Sequence, residues 1–81
     1  METLLTEQNI GYRLMEARKK LNLTQAELGA RICLDQAVIS RIEQGRHSLR
    51  TDTLFRLLSA LGYELVLQPI PEKVESDPDA W

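Results

Sequence analysis

The sequence predicts a small, mainly α protein of four to five helices followed by one β-strand. Over the first 62 residues, apolar side chains recur at spacings of three and four, which is typical of amphipathic helices. At residues 63–68 the pattern changes to strict alternation, which is typical of a strand. The length of 81 residues fits one domain. We divide the chain into a flexible lead-in (1–5), a helical domain (6–62), the strand (63–68) and a flexible acidic tail (69–81).

The first helix is expected to begin after Thr6, whose hydroxyl can accept a hydrogen bond from a backbone amide of the first turn. A glycine inside this helix, Gly11, costs about 1 kcal/mol relative to alanine, so a close contact with another helix is the expected reason for it. The inner face is predicted to consist of one apolar stripe: Ile10, Leu14, Ala17 and Leu21.

The second helix starts with a capping box, in which Thr24 and Glu27 satisfy each other's backbone amides. Its apolar residues are Leu28 and Ile32, with Ala30 expected to pack beside them. A three-residue break, Ile32-Cys33-Leu34, separates it from a third helix.

The third helix is expected to begin with Asp35 as N-cap and to end at Gly45. Its predicted inner face is Val38, Ile39 and Ile42. Two short helices joined by a three-residue turn form a helix-turn-helix motif.

The outer face of the third helix carries polar and small side chains of the kinds that contact base edges in a major groove. A glutamine amide at its first position can pair with adenine N6 and N7, a contact worth about 1–3 kcal/mol of discrimination. An arginine on the same face can reach guanine or a phosphate. The alternative is that these residues are ordinary solvated positions. The predicted base-reading residues are Gln36, Ala37, Ser40 and Arg41.

A fourth helix is expected from a Thr51 cap, with an inner face of Leu54, Leu57, Leu58 and Leu61 and a stop at Gly62. The single strand that follows leaves backbone donors and acceptors without a partner. The simplest partner is the same strand of a second copy, antiparallel about a two-fold axis, so we predict a homodimer. The predicted dimerisation residues are Tyr63, Leu65, Val66 and Leu67.

The segments TQAELGARI and QAVISRIEQGR, followed by TLFRLLSALG, resemble the Cro/cI-type helix-turn-helix family of bacterial and phage repressors. This resemblance covers residues 6–62. The strand and the tail that follow are most similar to HipB-type antitoxins. The resemblance implies a repressor that binds a palindromic operator, neutralises a HipA-type serine/threonine kinase toxin and represses the operon of both.

Backbone contacts are expected at both ends of the helix-turn-helix unit. Gln25 lies at the positive end of the second helix, where exposed amides favour phosphate. A short basic loop follows the third helix, and Arg46, Ser48 and Arg50 are predicted to bind phosphates there, unless the loop is a plain solvated turn. The family resemblance also implies a structural salt bridge between Arg18 and Glu43.

Two positions depart from simple expectation. Cys33 occupies the turn position that the family usually gives to glycine, and we interpret it as a half-buried thiol rather than a redox group. Trp81 follows the acidic, proline-containing tail, and composition alone favours a free end without a role. The resemblance to HipB-type antitoxins, some of which end in Trp, makes Trp81 a candidate anchor for a partner protein.

The overall charge of −2 is unusual for a DNA-binding protein, but the tail contributes four acids and one base, −3 in all. The remaining body therefore carries +1, and its positive charge has to be local to matter. One cysteine excludes an internal disulfide, and no apolar run approaches the length of a membrane span, so we expect a cytoplasmic protein.

An enzyme is not expected, because one histidine and one cysteine, without a phosphate-binding glycine loop or metal-ligand spacing, offer no catalytic constellation. We expect no cofactor and no metal. Two other functions remain open: a stand-alone regulator, such as a phage repressor or a restriction–modification controller, and a protein–protein adaptor that has lost DNA binding.

Overall fold

A computed structural model describes residues 6–69. They form four helices, α1 (Glu7–Lys20), α2 (Gln25–Ile32), α3 (Gln36–Glu43) and α4 (Thr51–Leu61). The predicted mainly α, helix-turn-helix fold is confirmed. Within residues 6–69 there is no strand: residues 63–69 follow α4 and belong to no helix or strand in the single chain. The lead-in 1–5 and the tail from residue 70 lie outside the described residues.

The core lies where α3 packs against α1 and α2, and α4 closes it by packing against the same two helices. Leu28, Ile39 and Leu57 are each only 1% exposed and occupy its centre. The other buried apolar residues are Leu14, Ala17, Ile32, Ile42 and Leu61. Every helix therefore contributes residues of its predicted stripe to one core.

Two predicted core residues are wrong. Leu21 is 47% exposed, because it is the C-cap of α1 and the helical spacing no longer applies there. Ala30 is exposed, because it stands two residues from both Leu28 and Ile32, and helical positions two apart do not share a face.

The helix starts follow the predicted capping chemistry in two of four cases. The Thr6 hydroxyl accepts from the Asn9 amide at 3.0 Å. Thr24 and Glu27 form the complete capping box, with bonds of 3.0 and 2.8 Å. Such caps satisfy amides that the first helical turn leaves without partners.

The other two predicted caps need correction. Asp35 has the extended backbone of an N-cap, but its side chain makes no capping hydrogen bond. At α4 the N-cap is Arg50 and Thr51 is already helical. There the Asp52 carboxylate accepts from the Thr53 amide at 2.7 Å, which supplies an acceptor at the positive end of the helix.

Gly11 explains how closely α1 approaches α3. A Cβ at this position would collide with the carbonyl oxygen of Ile42 and lie 2.9 Å from that of Glu43. The predicted close helix contact is confirmed, and it places the start of α1 directly against the end of the third helix.

The turn between α2 and α3 depends on a left-handed residue. Cys33 has φ 59° and ψ 45°, a conformation that costs a non-glycine residue about 1–2 kcal/mol. The amide of Leu34 then donates to the Gly29 carbonyl at 2.9 Å and closes the turn. The predicted half-buried thiol is wrong, because Cys33 is exposed.

Candidate nucleic-acid interface

The recognition face, defined here as Gln36, Ala37, Ser40 and Arg41, lies on the side of α3 opposite the core. Three of its members are exposed and Ser40 is half-buried. On the other side of the same helix, Ile39 and Ile42 are almost completely buried. The core therefore fixes which side of α3 is presented to solvent.

A buried ion pair fastens α3 to α1. Arg18 Nε donates to Glu43 Oε2 at 2.7 Å, and its Nη2 donates to Oε1 at 3.0 Å. Arg18 Nη1 also donates to the carbonyl of Leu23 at 2.7 Å, which ties in the α1–α2 connection. The hydrogen bond that Arg18 donates to Glu43 raises the pKa of Arg18 above its ordinary value. The predicted structural salt bridge is confirmed.

The same carboxylate begins a chain of hydrogen bonds that reaches the recognition face. Gln25 Nε2 donates to Glu43 Oε1 at 3.0 Å, and Gln36 Nε2 donates to Gln25 Oε1 at 2.9 Å. A carboxylate only accepts, so Gln25 must turn its NH2 group towards Glu43 and its oxygen towards Gln36. The orientation of the Gln36 amide follows: Oε1 and one N–H remain available to a ligand.

The sequence analysis did not predict this series of hydrogen bonds. It assigned Gln25 to phosphate contacts and did not connect it with Gln36 or Glu43. The available signal was that Gln25 and Gln36 are the first residues of α2 and α3, so both amides belong to the N-terminal ends of neighbouring helices. Contact of Gln25 with phosphate stays a prediction.

Gln44 is a second residue that sequence reasoning missed. Its Nε2 lies 3.2 Å from the Ser40 hydroxyl, one helical turn earlier. The two side chains extend the polar surface from the recognition face towards the end of α3.

The basic loop begins where the recognition face ends. The Arg46 amide donates to the carbonyl of Arg41 at 2.9 Å, which holds the loop against the last turn of α3. Arg46, Ser48 and Arg50 are all exposed. Arg50 Nε lies 3.2 Å from Asp52 Oδ1, and this hydrogen bond lowers the pKa of Asp52. Phosphate binding by the loop stays a prediction, with Asp52 as a competitor for Arg50.

The predicted dimerisation residues form an exposed apolar segment in the single chain. Tyr63, Leu65 and Val66 are 50–68% exposed, and Leu67 is 90% exposed. The segment leaves α4 through Gly62, whose left-handed φ of 81° ends the helix as predicted. Trp81 lies outside the described residues.

Within residues 6–69, no three histidine, cysteine or acidic side chains come together as a metal site. None of the four helices is long and apolar enough to cross a membrane.

Comparison with known proteins decides the family. Residues 14–68 match the model of the helix-turn-helix family HTH_3. The chain belongs to this family. The matched region contains α2, α3 and α4 completely, together with the Arg18–Glu43 pair, so the recognition face lies on its shared motif.

One curated relative is an uncharacterized HTH-type transcriptional regulator of Haemophilus influenzae, 33% identical over 60 residues. The alignment takes in 74% of this chain and 61% of the relative, so the chain spans about three fifths of that protein's length.

Solved structures share the fold of this helix-turn-helix protein. HipB bound to the 20mer O2 superposes with a TM-score of 0.73 at 25% identity, over 85% of this chain and 96% of that one. HipB in the HipA-HipB-O2-O3 complex gives 0.73 at 23% identity, over 85% and 97%. The clp gene regulator ClgR of C. glutamicum superposes with a TM-score of 0.72 at 23% identity, over 79% of this chain and 82% of that one.

Proposed function

We propose that this protein is a dimeric, sequence-specific transcriptional repressor that binds a palindromic operator through α3. The observation that carries the proposal is the oriented amide of Gln36. An amide held in one orientation at the exposed start of a helix presents a fixed donor and acceptor, which direct readout requires.

The hydrogen-bonding groups left on Gln36 match the major-groove edge of adenine. Oε1 can accept from N6–H while the second N–H of Nε2 donates to N7, and the bond to Gln25 is kept. Ala37 can then meet a thymine methyl group, and Arg41 a guanine or a phosphate. The phosphate contacts that would set the register are assigned to Gln25, Arg46, Ser48 and Arg50.

Two copies are needed to read a palindrome. Antiparallel pairing of residues 63–68 about a two-fold axis would satisfy the backbone groups that the single chain leaves unpaired and cover the apolar side chains there. The two recognition helices would then enter successive major grooves about 34 Å apart.

We further propose that the repressor is the antitoxin of a HipA-type serine/threonine kinase encoded beside it, and that the complex represses the operon of both. Support comes from the likeness to HipB, which is solved with operator DNA and with HipA. Trp81, in the acidic tail, is the proposed anchor for the partner. The site of action is the cytoplasm, and no catalytic role is assigned to the chain.

Binding to the protein's own upstream DNA tests the repressor. Fluorescence anisotropy at several salt concentrations should show tight binding to that region and weaker binding to random DNA of equal length. Gln36→Ala should lower affinity for the operator by roughly 5- to 150-fold, the equivalent of about 1–3 kcal/mol, and leave random DNA nearly unaffected. Gln8, an exposed glutamine on α1 that is not part of the recognition face, provides the matched control Gln8→Ala.

Equal losses on both DNAs would show that Gln36 positions the protein without reading a base. No binding at low salt would favour the adaptor over the repressor.

The antitoxin proposal has its own test. The neighbouring reading frame should encode a HipA-like kinase, and co-expression of the two proteins should suppress the kinase's toxicity and yield a complex on copurification. A stand-alone regulator is the second candidate, since the H. influenzae relative is an HTH-type transcriptional regulator. Operator binding without any such neighbour would select it.

A further inference from the structure

An open groove lies between the end of α2 and the outer side of α4. Its volume is about 490 Å³, and it is lined by Arg31, Ile32, Cys33, Phe55, Arg56, Ser59 and Ala60. Phe55 is 51% exposed, although it is the single phenylalanine of the chain. Large aromatic rings contribute much of the apolar area that proteins bury, so a half-exposed ring in a groove offers binding surface.

The groove is positively charged. Arg31 and Arg56 line it, and no acidic residue does. Within residues 6–69, neither arginine is paired with a carboxylate, in contrast to Arg18 and Arg50. Arg56 donates through Nη2 to the carbonyl of Ile32 and so holds the end of α2 against α4. A ligand of this groove should therefore combine negative charge with an apolar group.

The chain itself carries a segment of that composition. Residues 70–81 contain four acids and one lysine, a net charge of −3, and include Trp81, the single tryptophan of the protein. An indole is the largest apolar side chain and is well suited to pack on an exposed ring. The acidic residues of the segment are Glu72, Glu75, Asp77 and Asp79.

The segment is long enough to reach the groove. Ser59 and Ala60 line it in the last turn of α4, so the chain leaves the helix beside it. Residues 63–69 span at most about 25 Å when fully extended, and residues 70–81 span at most about 40 Å. The second length exceeds the first, so the segment can return to the groove whatever direction residues 63–69 take.

We propose that residues 70–81 dock into this groove, with Trp81 against Phe55 and the acidic side chains near Arg31 and Arg56. The docked segment keeps Trp81 from solvent until a partner with a better pocket competes for it.

Trp81 provides its own reporter, because it is the single indole of the 81-residue chain and can be excited apart from the two tyrosines. We expect its emission in native buffer to be blue-shifted and several-fold less quenched by acrylamide than in the urea-unfolded chain. Arg31→Glu and Phe55→Ser should each move both values towards those of the unfolded chain. Arg13→Glu, the same charge change on an exposed arginine of α1, is the matched control and should move neither.

Charge reversal provides the second arm. Asp77→Lys combined with Asp79→Lys should expose the indole in the otherwise unaltered protein, and should restore its protection in the Arg31→Glu background. Circular dichroism on every variant verifies that the helices are intact, so a change in emission reports the segment and not unfolding.

The single cysteine tests the location. Cys33 lines the groove and is exposed in the described residues, so the docked segment should slow its alkylation by neutral iodoacetamide several-fold relative to Trp81→Ala. A solvent-like emission of the native protein would overturn the proposal. An indole that is protected to the same degree in the Arg31→Glu and Phe55→Ser variants would also overturn it. The experiment uses neither DNA nor a kinase, so its result is independent of the proposed function.

Discussion

Gln36 is held by Gln25 rather than by its own helix: Nε2 of Gln36 lies 2.9 Å from Oε1 of Gln25. Gln25 is held in turn by Glu43, at the far end of α3. The first residue of the recognition helix is therefore oriented by a neighbouring helix, and that helix is oriented by the last residue of α3. Both helices of the motif share one hydrogen-bonded unit.

This contact predicts that Gln25 affects recognition without touching a base. Gln25→Ala frees the Gln36 amide to rotate, and we expect operator binding to weaken by about 1 kcal/mol, roughly fivefold, the usual net value of one hydrogen bond. Random DNA should lose less, as measured by anisotropy on both. If the two losses are equal, Gln25 contacts only the phosphate backbone. Ala26→Ser, an exposed neighbour on α2, is the control.

The ion pair of Arg18 and Glu43 predicts a large effect on stability. Arg18→Met leaves the buried Glu43 carboxylate without its main partner, and breaking such a pair costs about 3–5 kcal/mol. Arg18→Met with Glu43→Leu should lose much less, because no buried charge remains. Urea unfolding of the single and double variants measures this. A double variant no better than Arg18→Met would contradict the explanation.

The pH dependence of this ion pair follows from the direction in which folding shifts the pKa of Arg18. In the folded state, the hydrogen bond to Glu43 raises the pKa of Arg18 above its ordinary value. The stabilisation of the fold by the ion pair is therefore fully present below the pKa that Arg18 has in the unfolded chain. It is lost only as the pH rises through the pKa that Arg18 has in the folded protein. The protein should show no loss of stability from Arg18 anywhere in the neutral or moderately alkaline range.

At Gly11, we expect alanine to destabilise the helix, which is the reverse of its usual effect in a helix interior. Alanine normally stabilises a helix interior by about 1 kcal/mol relative to glycine. Here the added Cβ would meet the backbone carbonyls of Ile42 and Glu43, so Gly11→Ala should instead destabilise the protein by about 1–3 kcal/mol. Thermal unfolding measures the change, with Ser59→Ala on α4 as an exposed helical control. A raised melting temperature for Gly11→Ala would disprove the close approach.

At Cys33, in the turn between α2 and α3, we expect a substitution that stabilises the protein. Cys33→Gly removes the left-handed strain of about 1–2 kcal/mol, and part of that gain is offset by the greater freedom of glycine in the unfolded chain. We expect net stabilisation of up to about 1 kcal/mol in urea unfolding. Cys33→Ala is the control, because it removes the thiol and keeps the strain. Equal stabilisation by both variants would assign the effect to the thiol.

The exposed segment after α4 predicts how the proposed dimer can be disrupted. In an antiparallel pair, the amides of successive residues point in opposite directions, so only one of Leu65 and Val66 donates across the interface. Proline at that position should shift the protein towards monomer in sedimentation velocity, and proline at the other should have a smaller effect. Val66→Thr keeps the amide and is the control. Unchanged dimers in both proline variants would exclude the segment as the interface.

The helices, the core stripes and the Thr24–Glu27 capping box were predictable because each depends on residues close in sequence. The Arg18–Glu43 pair was available only through family resemblance, since 25 residues separate its members. The Gln25–Gln36 contact was not found, because it needs the packing of α2 on α3 to be known. The errors at Leu21 and Thr51, and the missing side-chain cap at Asp35, all fall at helix ends, where a shift of one residue decides exposure or capping.

In the proposed repressor, the shared hydrogen-bonded unit limits how the DNA target can change in evolution. A new side chain at position 36 must suit its base and also accept the neighbour that Glu43 has already turned towards it. Residues that present an acceptor towards Gln25 would face its oxygen and be repelled. Substitutions at position 36 should therefore be limited to side chains that can donate a hydrogen bond to Gln25, unless position 25 changes in the same lineage.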